Sequence, residues 1–180
     1  MQVPAVATPL PVDFRELALT HLAHFVGVFA NQQVLAEMQR AGYGDLREAH
    51  GFLVQHLLRE PHSVGELAKL LGVTQQAVSK TVAELVRAGY LEIQAGDDAR
   101  VRLVRLAERG HAAVLASRRI RERLEQRLLK TLGEKRARAL RLALTDALQE
   151  LGGAPAVKGR RVPLVGGLPS ARLAPRSRSG

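Results

Sequence analysis

Apolar positions recur at helical spacing along most of this chain, and the places where that rhythm breaks organise it. Phe14, Leu17, Leu22, Phe25, Val26 and Phe29 share one stripe and predict a long first helix, with Asp13 placed to cap its start. Gly42 and Gly44 interrupt the stripe. A second helix is expected over 45–59, where Leu46, Ala49, Phe52, Leu53, His56 and Leu57 recur before Pro61 stops it. Ser63 followed by Glu66 is a capping-box pair that opens a short helix through Leu71, and Gly72 supplies a turn. Thr74 then caps a helix to about Ala88, whose inward face is Ala77, Val78, Val82, Leu85 and Val86.

After Gly89 the rhythm changes to that of strands. Tyr90, Leu91 and Ile93 begin one strand, residues 95–99 turn, and residues 100–106 return. Alternation slips between Leu103 and Val104, which calls for a bulge or for contacts on both faces. Helical spacing resumes from Glu108 to about Leu132 through Val114, Leu115, Ile120, Leu124, Leu128 and Leu132. Gly133 breaks it, and a last helix to Leu151 carries Leu140, Leu144, Leu148 and Leu151 on one face. The fold expected is mainly α with a small β-hairpin wing (α+β), a winged helix-turn-helix flanked by long N- and C-terminal dimerisation helices. Its divisions are a flexible arm (1–12), an N-terminal dimerisation helix and loop (13–44), the winged domain (45–106), C-terminal dimerisation helices (107–151) and a disordered basic tail (152–180).

Composition narrows the partners. The 180 residues carry a formal net charge of +10, which favours a polyanion, although 17 acidic residues keep the surface mixed. Residues 151–180 hold Lys158, Arg160, Arg161, Arg172, Arg176 and Arg178 and no acid, so six of those ten charges belong to the tail. There is no cysteine, hence no disulfide framework or thiolate metal site, and a reducing cytoplasm is compatible. The longest uncharged run, 17–36, is interrupted by Thr20, His21, His24, Asn31, Gln32 and Gln33, which argues against a membrane span. The first twelve residues lack the basic start and apolar core of a secretory signal.

Candidate chemistry lies on the helix that follows Thr74. Gln75, Gln76, Ser79 and Lys80 point away from its apolar stripe near the N-terminal end, where a recognition helix offers side chains to base edges. Glutamine amides pair with adenine, and lysine reaches guanine acceptors or phosphate. The bland reading of these four is a solvated helix face. In the wing loop, Arg100 suits the narrow minor groove while Asp97 or Asp98 supports its angle; the plain alternative is a surface ion pair of ~0–1 kcal/mol. Lys69 and Arg87 are phosphate contacts or simply exposed charges. His21 and His24 share a helix face, but two imidazoles do not complete a tetrahedral metal site, and no metal or other cofactor is expected. A pocket for an organic ligand is placed near His21, His24, Phe25, Tyr43 and His50.

From Ser63 to Gly110 the sequence resembles the MarR family of bacterial transcriptional regulators. The resemblance is carried by SVGELAKLLGVTQQAVSKTVAELVRAGYLE, by Asp98-Ala99-Arg100 in the wing, and by LVRLAERG leading into the long helix. In the order of its elements it extends over 13–151. It implies a homodimer whose paired winged domains bind a palindromic operator, more often as a repressor, with a cleft that often receives a small ligand. Two departures stand out. Ala107 occupies a position where the family commonly has Thr, so the long helix lacks a capping hydroxyl and must fray or find another acceptor. The missing cysteines exclude direct thiol sensing.

No nucleophile elbow, phosphate-binding glycine loop or paired-carboxylate site is recognisable, so no enzyme is expected. Four Phe, two Tyr and no Trp also leave little for stacking on single strands. The function expected is a cytoplasmic, non-catalytic regulator that binds double-stranded DNA as a homodimer, with a small-molecule effector as a further partner. The rivals are a winged-helix protein-interaction module without specific DNA binding, which Gln75, Gln76 and Ser79 disfavour as too polar, and a metal-responsive regulator.

Overall fold

The structure is a computed structural model that describes residues 12–96 and 101–160. The arm up to residue 11, the loop 97–100 with Asp97, Asp98 and Arg100, and residues 161–180 lie outside the described residues.

The chain opens with α1 (Leu19–Arg40), later and shorter than the apolar stripe implies. Asp13 does not cap it. Its carboxylate accepts from the Arg15 N–H at 2.8 Å and its carbonyl from Glu16 at 3.1 Å, which closes a local turn. Ala18 is extended (φ −53°, ψ 137°), so Phe14 and Leu17 precede the helix. Next comes α2 (Glu48–His56), trimmed at both ends relative to 45–59. Asp45 is held by the Tyr90 hydroxyl in the loop before the helix, and Arg47 is extended. The residues after His56 turn before Pro61 is reached.

Local chemistry in the winged lobe follows the sequence closely. A two-residue strand β1 (His62–Ser63) leads into α3 (Val64–Leu71). Ser63 Oγ accepts from the Glu66 N–H at 3.2 Å, and Glu66 Oε2 accepts from the Ser63 N–H at 2.8 Å. The Ser63 N–H and hydroxyl, both donating to Glu66 Oε2 at 2.8 Å, hold the Glu66 carboxyl below the usual carboxylate range. Gly72 ends α3 in the left-handed region (φ 69°), a conformation costly for any residue with a Cβ. Thr74 caps α4 (Gln75–Arg87) by accepting from the Ala77 N–H at 3.2 Å. Val78, Val82 and Leu85 are buried as expected, whereas Ala77 is exposed because it falls on the outer edge of the first turn.

The hairpin pairs β2 (Leu91–Ala95) with β3 (Arg102–Leu106), Leu91 opposite Leu106 and Ala95 opposite Arg102. No bulge interrupts this register. The slip at Leu103 and Val104 has another cause: β1 pairs with the far edge of β3, so β3 is the central strand in the order β1-β3-β2. Val104 faces the core while Leu103 is half-buried on the opposite face. Nothing in the sequence marks β1, because two residues are too few to show alternation.

Beyond the wing run α5 (Glu108–Leu132) and α6 (Glu134–Glu150). Ala107 gives α5 no side-chain cap, and its own N–H donates to the Tyr90 carbonyl at 3.0 Å. Arg123 pairs with Glu37 of α1 at 2.7 Å and pulls that carboxyl below its ordinary value; Arg141 of α6 pairs with Glu125 of α5 at 2.6 Å. The tail is not structureless from residue 152. A short helix α7 (Ala154–Lys158) follows, and Arg160 Nη1 donates to the Gln55 carbonyl of α2 at 2.9 Å, which seats this segment on the winged lobe.

One core joins these parts. Leu67, Val78, Leu85, Tyr90 and Val104 are almost wholly buried in the winged lobe, and Leu53, Val34, Met38, Ala113 and Ile120 extend the cluster to α2, α1 and α5. Each large aliphatic side chain among them contributes about 1.5–3 kcal/mol by leaving water. The outer faces of α1 and α6 are different: Phe25, Val26, Phe29, Leu140, Leu144 and Leu148 are exposed. No described helix is long and apolar enough to cross a membrane.

Candidate nucleic-acid interface

The N-terminal half of α4 presents Gln75, Gln76, Ser79 and Lys80 to solvent as one group. Their exposure is a consequence of the opposite face: once Val78, Val82 and Leu85 enter the core, the residues between them point out. The amide of Gln75 leans on the start of α3, where a Cβ on Gly65 would lie 3.3 Å from its Nε2, so a glycine there leaves it room. Lys69 on α3 is exposed as well. Arg87 is exposed at the far end of α4, about 18 Å along the axis from Gln75, and its Nε donates to the Ala83 carbonyl at 3.4 Å.

Beside α4 stands the hairpin. The Gly96 N–H donates to the Val101 carbonyl at 2.8 Å, closing the strands just before the loop. Across the ladder Arg105 pairs with Glu92 at 2.7 Å. Arg102 is exposed near the loop and is a further candidate, its signal in the sequence being the two-residue spacing from Arg100.

Two contacts fix α4 from behind. Arg47 at the start of α2 forms an ion pair with Glu84 of α4, and Arg109 of α5 donates to the carbonyl of Ala88. Close to Arg47 lies His50, buried and flanked by donors. Its Nδ1 faces the Arg47 backbone N–H at 3.2 Å, and its Nε2 faces the Arg47 guanidinium at 3.2–3.3 Å. A neutral imidazole has one lone pair for these two donors, and the charged form has none. Burial first, and then the Arg47 charge, push the His50 pKa below its ordinary value.

A cavity of about 680 Å³ opens between α1, α2 and α5. Its apolar wall includes Val34, Met38, Phe52, Leu58 and Val114, and its polar groups include Arg47, Glu48, His50, Ser117, Arg118 and Arg121. Of the five residues grouped around a ligand pocket from the sequence, only His50 lines it. His21, His24 and Phe25 sit on the exposed outer face of α1, and Tyr43 packs instead against Tyr90 with ring centroids 6.4 Å apart. No local pattern in the sequence groups Arg47 with Arg118 and Arg121. Among the described residues no three His, Asp or Glu side chains gather as a metal-ligand set.

Comparison with known proteins gives a consistent picture of the fold. A model of the MarR family matches residues 45–100. No curated sequence matches the chain. Among solved structures, the chain is similar to MepR, a transcription regulator of the Staphylococcus aureus multidrug efflux pump MepA: 22% identity, 75% of this chain and 99% of that one covered, TM-score 0.62. A mutant of S. aureus MepR bound to an oligodeoxyribonucleotide is similar at 21% identity, with 76% and 99% coverage and TM-score 0.58. MarR from E. coli in its apo form is similar at 23% identity, with 73% and 97% coverage and TM-score 0.57.

Proposed function

Because a model of the MarR family matches residues 45–100 and the chain folds like solved MarR-type proteins, we propose that this protein is a transcriptional regulator that binds a palindromic duplex operator as a homodimer. It acts in the cytoplasm, without catalysis, and as a repressor. The observation that carries the reading is the exposed group Gln75, Gln76, Ser79 and Lys80 at the N-terminal end of α4, on a helix held from behind by Arg47 and Arg109. Side chains of this kind match the donors and acceptors of the major groove. Arg100 of the loop, supported by Asp97 or Asp98, takes the minor groove, and Lys69 and Arg87 take phosphates.

The exposed apolar faces of α1 and α6 support a second copy as partner, since Phe25, Phe29, Leu140, Leu144 and Leu148 have no cover within the described residues of one chain. The cavity behind α2 supports a small-molecule effector that releases the operator. Two-fold symmetry places the half-sites about 34–36 Å apart.

Selection of bound sequences from random duplex DNA tests the reading. A palindrome is the expected product, and Lys80→Ala and Arg100→Ala each weaken binding to it. Absence of any enriched duplex would leave the winged-helix protein-interaction module as the better account.

A further inference from the structure

Three parts of the molecule meet at one guanidinium. Arg109, in the first turn of α5, donates from Nη1 to the Ala88 carbonyl at 2.7 Å, the cap residue at the end of α4. From Nη2 it donates to the Gly42 carbonyl at 3.2 Å, just past the end of α1. Its Cζ lies over the Tyr90 ring, 4.5 Å from the centroid, and Asp45 balances its charge at 3.8 Å. Both carbonyls belong to helix ends, where intrahelical donors run out and the negative end of the dipole collects, so a cation with a planar fork satisfies them well.

The backbone beneath Arg109 is equally close. The Tyr90 carbonyl accepts from the Ala107 N–H at 3.0 Å, and a Cβ built on Gly110 would stand 2.2 Å from the same oxygen. Thus α5 starts in direct backbone contact with the segment that ends α4. On the reading proposed above, α4 enters the groove and α5 belongs to the dimerisation layer. The angle between them then sets how far apart the two recognition helices stand.

We propose that Arg109 is a positioning residue that fixes the angle between α4 and α5, and with it the half-site spacing the dimer accepts, without touching DNA itself. This inference rests on the DNA-reading dimer for its consequence, but its mechanical part stands within a single chain. Lysine keeps the charge and loses the fork, so it cannot hold both carbonyls and cover Tyr90 at once.

The chain has no cysteine, so nitroxide labels on Gln76→Cys and Glu122→Cys report the α4 to α5 distance without background when labelled chain is diluted into unlabelled. Pulsed dipolar spectroscopy should give one narrow distance in the parent, a broad distribution with Arg109→Gln, and intermediate width with Arg109→Lys. On the selected duplex, inserting one base pair between half-sites should weaken the parent about tenfold or more. Arg109→Gln should lose most of that discrimination while keeping the parent's salt slope. An unchanged distance distribution in Arg109→Gln overturns the proposal, as does a salt slope reduced by about one per subunit, the mark of a lost phosphate contact. If the parent enriches no duplex, the DNA-reading function falls, and the distance measurement alone decides the role of Arg109.

Discussion

The hydroxyl of Tyr90 donates to the carboxylate of Asp45, tying the first residue after the turn at Gly89 to the loop before α2. Tyr90 is only 1% exposed, and its burial together with the Asp45 hydrogen bond pushes the phenol up to about 12. The sign follows from linkage. Between the ordinary value of 10.0 and about 12, the unfolded chain releases this proton and the folded chain retains it, so stability falls as pH rises through that window. Tyr90→Phe should remove the highest-pH step from a spectrophotometric phenol titration. It should also lower unfolding free energy by about 1.5 kcal/mol in denaturant melts, the low end for a bond to a charged group, because Asp45 remains partly hydrated.

Gly110 admits no side chain at its present position. A Cβ at 2.2 Å from the Tyr90 carbonyl and 3.0 Å from Leu106 Cδ2 forces α5 away from the sheet. Gly110→Ala is therefore expected to destabilise the chain by about 1–3 kcal/mol despite alanine's better helix propensity. Chemical denaturation measures it; equal or higher stability would show that the first turn of α5 relaxes freely.

His50 makes stability depend on pH in the acidic direction. Its folded-state pKa lies below the ordinary 6.5, so as pH falls below that value the unfolded chain binds a proton that the folded chain refuses. The contribution is fully present above 6.5 and is lost as pH drops toward the folded value. His50→Gln keeps a hydrogen-bond acceptor for Arg47 and should flatten the decline of melting temperature between about pH 7 and 5.

The basic extension carries a separate expectation. Because α7 and Arg160 belong to the described fold, a truncation that spares the winged lobe must begin at residue 161. Removing 161–180 deletes Arg161, Arg172, Arg176 and Arg178 and no acid. The salt slope of duplex binding should fall by up to about 0.9 for each arginine that meets a phosphate, on operator and random DNA alike. An identical slope before and after truncation would show the extension to be idle toward DNA.

How much was legible beforehand differs by element. The capping box of Ser63 and Glu66, the turn at Gly72, the Thr74 cap and the run of α5 from Glu108 to Leu132 all stood in the sequence, because each depends on the local order of residues. The cap expected at Asp13 and the helix start expected at Asp45 fail for the complementary reason: the first carboxylate is consumed by its own turn and the second by a tyrosine 45 residues away.

The candidate interface divides along the same line. The polar group on α4 was readable, since its exposure follows from the apolar stripe opposite. The cavity was not. It drew His50 from the expected set and replaced the rest with residues of α1, α2 and α5 that have no local relation to one another.

By itself, then, the sequence determined helices α1 to α6 in outline, the hairpin and the polar face of α4, since these arise from short-range hydrogen bonding and from the period of apolar side chains. Only the tertiary structure decided the central place of β3, the walls of the cavity, and the junctions made by Arg109 with Ala88 and Gly42 and by Arg160 with Gln55. Those last three pairs are 21, 67 and 105 residues apart. They exist because burial of a shared core brings distant carbonyls within reach of a guanidinium, and no local pattern records which carbonyl that will be.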